Sequence, residues 1–178
     1  MRTFISIEIP EKIKEQIVKI QNELPEFDGK KTEFENLHLT LKFLGEIDDG
    51  KAEIIKQKLR EIKLKKFETE INFIGIFDNR KSGEQKIIIW LNMTNCDKLQ
   101  KEIDEKLSGI FKKEKRFMGH LTIARVKKIK DKKKFLEELK KIKIPKMKFL
   151  VENFFLKKSV LTEEKPLYET IEKFNLEI

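Results

Sequence analysis

The sequence predicts an α+β fold built on antiparallel sheets. Three observations point there: stretches with a period of two mix with stretches of helical period, most strand-like stretches neighbour others through short connections, and no regular strand-helix-strand alternation runs through the chain. At 178 residues the chain suits one domain with a sizeable core. No Gly- or Pro-rich linker divides it, so residues 1–178 are read as a single unit.

Thr3 to Ile9 alternates Phe4, Ser6 and Glu8 against Ile5, Ile7 and Ile9, the mark of a half-buried strand. Pro10 ends it. Glu11 begins a helix whose apolar stripe is Ile13, Ile17, Ile20 and Leu24, stopped by Pro25. His38 to Leu44 follows as an extended segment, and Asp48-Asp49-Gly50 opens a second helix that buries Ile54, Ile55, Leu59 and Ile62. Thr69 to Phe77 and Lys86 to Leu91 are each β-prone, and the turn-rich Asp78 to Gly83 joins them as a hairpin. Thr94 or Asn95 caps a helix running through about Ile110, with Leu99, Ile103, Leu107 and Ile110 on one face. His120 to Val126 reads as a strand, Asp131 to Ile142 as a helix, and Lys148 to Leu156 and Thr170 to Leu176 as two closing strands.

Hydrophobic residues make up 39% and charged residues 40%, with only 7 Gly and 4 Pro, which excludes disordered, collagen-like and disulfide-scaffold classes. The single Cys96 cannot close an intramolecular disulfide and fits a reducing compartment or simple indifference to redox. Glu8 interrupts the N-terminal apolar stretch before a signal-peptide core can form, and the longest clearly apolar run, Ile87 to Leu91, is far short of the ~20 residues of a membrane span. A soluble cytoplasmic protein with no membrane partner is expected. The net charge of +9 is uneven: Phe111 to Lys148 holds 16 Lys or Arg against 4 Asp or Glu, so the remainder is close to neutral. Such a segment calls for an acidic partner.

Only two histidines occur, and each begins the same tetrad: His38-Leu39-Thr40-Leu41 and His120-Leu121-Thr122-Ile123. From ordinary residue usage, chance gives both tetrads roughly one time in a million. A single His in an apolar strand is usually structural; the duplication argues for chemistry. In a strand, residues i and i+2 share a face, so each tetrad presents an imidazole beside a hydroxyl while the aliphatic residues anchor it from behind. Two such strands facing one cleft supply a neutral imidazole that accepts a proton and a protonated one that donates it, an acid–base pair for displacement at phosphorus. The threonine hydroxyls can hold non-bridging phosphate oxygens. Two His and one isolated Cys make no recognisable zinc motif, and neither phosphate-binding glycine loop nor a Gly-x-Ser-x-Gly elbow is present. No metal or cofactor is therefore expected.

At these residues the chain resembles the 2H phosphoesterase superfamily, defined by two His-x-Thr-x motifs, and within it the RNA 2′,3′-cyclic phosphodiesterases, also called 2′,5′-RNA ligases. The resemblance extends through Arg2 to Ile7, Glu35 to Gly45, Ile89-Trp90-Leu91, His120 to Arg125 and Ser159 to Tyr168, in family order. It implies a bilobal, pseudo-twofold fold whose antiparallel sheets line a central cleft with helices outside. It also implies metal-free hydrolysis of a terminal 2′,3′-cyclic phosphate to a 2′-phosphate. His38 would donate the proton to the departing 3′ oxygen and His120 would accept one from water, with Thr40 and Thr122 on the phosphate. The sequence itself leaves open which histidine is acid and which is base. With a 5′-hydroxyl RNA end in place of water, the same ring opening would form a 2′,5′ linkage without ATP. The implied partners are RNA ends with a cyclic phosphate, tRNA halves among them, acted on by a monomer.

Further candidates surround the tetrads. Arg125 matches a family position for phosphate contact, yet strict alternation sets it on the face opposite His120 unless a bulge turns it. Lys42 shares the face of His38 and Thr40 by period two and could meet a phosphate. Phe4 and Tyr168 are candidate stacking partners for a terminal base, Phe4 being better suited to core packing, and Trp90 is read as core. Gly119 stands where family members often have Pro, which alters the approach to the second motif. The stretch Lys127 to Lys134 is placed to draw in RNA backbone. Two other functions stay open: a phosphodiesterase for small cyclic nucleotides such as ADP-ribose 1″,2″-cyclic phosphate, and a non-catalytic RNA-end binding protein.

Overall fold

The computed structural model describes residues 1–78 and 87–178. The elements run β1 (Arg2–Glu8), α1 (Glu11–Glu23), β2 (Asp28–Lys31), a 3-10 turn (Phe34–Asn36), β3 (His38–Glu46), α2 (Asp49–Arg60), β4 (Phe67–Ile71), β5 (Ile74–Asp78), β6 (Ile87–Asn92), α3 (Asp97–Leu107), β7 (His120–Lys128), α4 (Lys132–Lys141), β8 (Met147–Val151), β9 (Asn153–Leu161) and β10 (Pro166–Asn175). All the paired strands are antiparallel, so the α+β expectation holds. The main sheet has the order β10-β9-β1-β3-β7-β6-β5, with β2 added to β7, and β4 and β8 form a small second sheet.

Helices α1, α2 and α4 start where their sequences say. Asp48 caps α2 by accepting from Lys51 N at 2.7 Å, and Asp131 caps α4 by accepting from Lys134 N at 3.2 Å. Ile13, Ile17 and Ile20 of α1 are buried as the stripe requires, while in α2 the buried face is Ala52, Ile55 and Leu59 with Ile62 beyond it. Ile54, expected inside, is half exposed because it sits one step off that stripe. The cap of α3 is Cys96, and the helix ends at Leu107 rather than Ile110. Thr94 and Asn95 are diverted to β4 instead: the Thr94 hydroxyl accepts from Glu70 N, and the Asn95 amide donates to Glu68 O.

Several strand expectations are corrected. Thr69 to Phe77 is two strands, broken at Asn72 and Phe73, because the Asn92 side-chain oxygen accepts from both of their backbone N–H groups at 2.9 Å. Lys148 to Leu156 likewise divides at Glu152, where β8 stays with β4 and β9 joins β1 and β10. The last strand starts at Pro166, four residues early, since an edge strand tolerates a proline at its first position. β2 was not anticipated: Asp28-Gly29-Lys30-Lys31 has no apolar alternation, and it pairs with β7 through backbone alone. A Cβ on Gly29 would sit 2.2 Å from the Arg125 carbonyl oxygen, so only glycine lets that strand approach. Within the expected hairpin connection Asp78 ends β5, and Asn79 to Gly83 lie outside the described residues.

Two halves of the main sheet repeat each other. β1 pairs with β3 and β6 pairs with β7 in matching registers: Phe4↔Phe43, Ile5↔Lys42 and Ser6↔Thr40 correspond to Ile88↔Arg125, Ile89↔Ala124 and Trp90↔Thr122. Both pairs skip one residue, Leu41 in β3 and Ile123 in β7, so each strand carries a bulge directly after its tetrad's threonine. β3 and β7 meet at one position only, Leu39↔Leu121. Leu39, Leu41, Leu121 and Ile123 are fully buried in a core shared with α1, α2, α3 and the aliphatic residues of the strands. The histidines and threonines alternate with them and face outward. Among the described residues no helix is long and apolar enough to cross a membrane.

Candidate active site

His38, Thr40, His120 and Thr122 line one cleft of about 630 Å³, as the spacing of the tetrads anticipates. Each imidazole is tethered in the same way. His38 Nδ1 lies 2.7 Å from the Asn36 carbonyl oxygen and His120 Nδ1 lies 2.8 Å from the Met118 carbonyl oxygen. A carbonyl only accepts, so both rings carry their proton on Nδ1 when neutral and turn Nε2 toward the cleft. His38 Nε2 is 3.0 Å from the Thr40 hydroxyl, which donates to it in that tautomer.

The surroundings of the two rings differ. His38 packs against Phe4 at 5.1 Å between ring centroids and against Tyr168 at 5.2 Å. Burial drives its pKa from the ordinary 6.5 down to about 4; the bond to the Asn36 carbonyl opposes the shift, and the cations of Lys157, Arg125 and Lys14 add to it. His120 is held by Phe77 at 5.1 Å and Trp90 at 6.1 Å. Trp90 is buried as expected, though its ring serves as a wall for His120. Phe4 is buried as well and backs His38, Phe43 and Tyr168 rather than offering a free face.

The bulges decide which neighbours reach the cleft. In β7 the bulge reverses the alternation after Ile123, so Arg125 lines the cleft with His120 and Thr122. The carbonyl freed at Ile123 accepts from Thr32 N and from the buried Gln21 amide, both at 2.9 Å, which fixes the irregularity in place. In β3 the same reversal takes Lys42 out of step with His38 and Thr40: the residue still lines the cleft, but its ammonium is buried against Asp104 at 2.6 Å, the Lys112 carbonyl oxygen at 2.8 Å and Glu114 at 3.4 Å. The position equivalent to Arg125 is Phe43, which is 69% exposed at the cleft edge. Phe43 was missed by sequence reasoning. The available signal was spacing: it follows His38 by five residues, as Arg125 follows His120.

Other cations rim the cleft without having been singled out: Arg2, Lys30, Lys31, Arg116 and Lys165. They come from four separate segments, so no local motif marks them. Of the lysine-rich stretch, Lys127 and Lys128 end β7, and Lys132 opens α4 and pairs with Asp78 at 2.9 Å. Gly119 is required where it stands: a Cβ there would meet the Met93 carbonyl oxygen at 2.2 Å, while the Gly119 carbonyl accepts from Met93 N at 2.8 Å. Among the described residues no three His, Cys, Asp or Glu side chains are grouped as metal ligands.

Two His-x-Thr-x strands in a pseudo-twofold antiparallel frame, with both Nε2 atoms given to one cleft, define a 2H phosphoesterase. The family model described as LigT like Phosphoesterase matches residues 7–86 and 93–168, and the chain belongs to that family. It is 39% identical to the RNA 2′,3′-cyclic phosphodiesterase of Methanocaldococcus jannaschii over 98% of this chain and 100% of that one. The Thermotoga maritima protein of the same name is 33% identical over 96% of this chain and 93% of its own length. Among solved structures, a Thermus thermophilus protein superposes with a TM-score of 0.78 at 23% identity, covering 98% of this chain and 97% of that one. E. coli LigT complexed with 3′-AMP gives 0.77 at 22% identity over 98% and 97%. Both share the fold.

Proposed function

We propose that this protein hydrolyses the 2′,3′-cyclic phosphate at RNA ends to a 2′-phosphate through a proton exchange between its two histidines. The observation that carries this reading is the matched tethering of His38 and His120, which aims both Nε2 atoms into the cleft that Thr40, Thr122 and Arg125 also line. Relatives of full-length similarity that bear the name RNA 2′,3′-cyclic phosphodiesterase support it.

In this reaction His120 Nε2 takes a proton from water as the oxygen attacks phosphorus, and the phosphorus–O3′ bond breaks. His38 Nε2 gives its proton to the departing O3′. Thr40, Thr122 and Arg125 hold the negative charge on the non-bridging oxygens. Phe43 offers an exposed ring to the terminal base, the stacking role first considered for Phe4 and Tyr168. With a 5′-hydroxyl RNA end in place of water, the same steps give a 2′,5′ linkage: His120 Nε2 takes the hydroxyl proton, the phosphorus–O3′ bond breaks and His38 Nε2 protonates O3′. Substrates arise wherever RNA is cut to leave a cyclic phosphate, tRNA halves among them.

The test is product analysis on cyclic-phosphate oligonucleotides in the presence of EDTA. The wild type yields the 2′-phosphate, and His38→Ala and His120→Ala each lose about 10²- to 10⁴-fold in kcat. Retention of activity in either variant overturns the mechanism. Equal turnover of a mononucleoside cyclic phosphate would point to the small-molecule function, and binding without turnover would point to an RNA-end binder.

A further inference from the structure

Lys42 and Asp104 form a buried ion pair beside the cleft, with side chains 2% and 7% exposed. Asp104 lies on α3 and uses both carboxylate oxygens. Oδ1 takes the Lys42 ammonium, and Oδ2 accepts from Gln100 Nε2 and from Glu114 N, each at 2.8 Å. Lys42 donates in turn to the Lys112 carbonyl at 2.8 Å. The pair therefore grips the chain between α3 and β7 at Lys112 and Glu114. Four residues further on stands Met118, whose carbonyl holds His120 Nδ1. Outside this grip, the segment's next backbone anchor is the Gly119 carbonyl on Met93 N.

We propose that the Lys42–Asp104 pair is a positioning device: it fixes the segment 112–118 and, through the Met118 carbonyl, the tautomer and orientation of the His120 ring. The inference rests on the reading of His120 as the proton acceptor. Three further facts favour it. A buried ion pair seldom adds net stability over apolar residues of the same volume, so its presence calls for another use. The residue equivalent to Lys42 in the second half is Ala124, so the repeated strand architecture does not itself need a lysine there. Lys42 also stands two residues past Thr40, so the pair links the strand of the first tetrad to the histidine of the second. Burial alone would raise the Asp104 carboxyl pKa, but the bonds from Lys42, Glu114 and Gln100 hold it below the ordinary value, which keeps the carboxylate ionised.

The test is the double variant Lys42→Met/Asp104→Leu, which removes both charges together and so avoids leaving one buried alone. The chain has two histidines, so ring ¹⁵N spectra resolve both, with His38→Gln assigning them. In the folded double variant the His120 nitrogens shift away from the Nδ1-protonated pattern while those of His38 stay. On a cyclic-phosphate oligonucleotide, kcat falls about 10- to 100-fold with KM within about twofold, the scale expected when a reacting group is misplaced by about 1 Å. A merely structural pair would lower Tm without moving the His120 signals, and unchanged His120 signals overturn the proposal. If the double variant does not fold, Asp104→Asn, of the same shape, is judged by the same spectra. An inactive wild type would overturn the phosphodiesterase reading and leave the ring spectra to decide on the positioning device.

Discussion

His38 and His120 share a backbone tether but not an environment. His38 is pressed between Phe4 and Tyr168 and faces the cations of Lys157, Arg125 and Lys14, so its pKa of about 4 leaves the ring neutral near pH 7 in the free protein. A neutral ring with its proton on Nδ1 has a lone pair at Nε2 and nothing to donate there. The donor role therefore requires that the proton arrive with the substrate: a bound phosphodiester anion offsets the three cations and raises the His38 pKa. Binding of a 2′,5′-linked dinucleoside phosphodiester, whose anion does not titrate there, between pH 5 and 6.5 is expected to take up a proton, read by calorimetry in buffers of different ionisation enthalpy. His38→Gln abolishes the uptake. Binding without proton uptake would mean that His38 stays neutral, and the two histidines would then exchange roles. The same low pKa bears on stability. The unfolded chain binds the His38 proton near the ordinary 6.5 and the folded chain only near 4, so stability is complete above pH 6.5 and declines as pH falls through that window, by about 3 kcal/mol in all. The Gln variant flattens that decline in urea titrations run across the window.

At the level of elements, the tetrads were legible because their information is local: a period of two places His beside Thr, and the aliphatic residues behind them need only a core. The helices were legible for the same reason, apart from Ile54 and the ends of α3. What escaped was set by distant partners. The bulges at Leu41 and Ile123 depend on pairing with β1 and β6, and they alone decide that Arg125 and Phe43 face the cleft while Lys42 turns inward. β2 is made by the backbone of β7, and the breaks at Asn72 and Glu152 belong to Asn92 and to the separate β4–β8 sheet. α4 carries a further consequence. Lys132, Lys133 and Lys134 crowd its first turn, where the helix dipole disfavours cations by about 0.3–1 kcal/mol each. Charges held against local stability fit a surface that meets RNA backbone. Lys133→Glu/Lys134→Glu is expected to raise Tm slightly while increasing KM for an oligonucleotide several-fold and weakening its salt dependence. KM for a mononucleotide stays as it was; an equal change for both substrates would leave these lysines a surface role only.

Across the whole molecule, two repeated halves build one site although their strands touch at a single position. Leu39 and Leu121 form the only β3–β7 pairing among the described residues, and each precedes the threonine of its own tetrad. Beyond that point β7 takes β2 as its neighbour, and the separation of the two histidine strands makes room for the cleft. The distance between the two imidazoles is thus governed less by a hydrogen-bonded ladder than by the packing of fully buried leucines at the seam. Truncation there should cost stability and geometry together, whereas truncation elsewhere in the core should cost stability alone. Leu121→Ala and Leu59→Ala make the comparison, since both side chains are at most 1% exposed and Leu59 lies on α2 away from the tetrads. Each is expected to lose about 2–5 kcal/mol. Measured well below both melting temperatures, kcat for the cyclic phosphate falls at least about tenfold in Leu121→Ala and stays within about twofold of wild type in Leu59→Ala. Equal kcat in the two variants would show that the halves are aligned by something other than the seam, with the Lys42–Asp104 pair the next structure to test for that role.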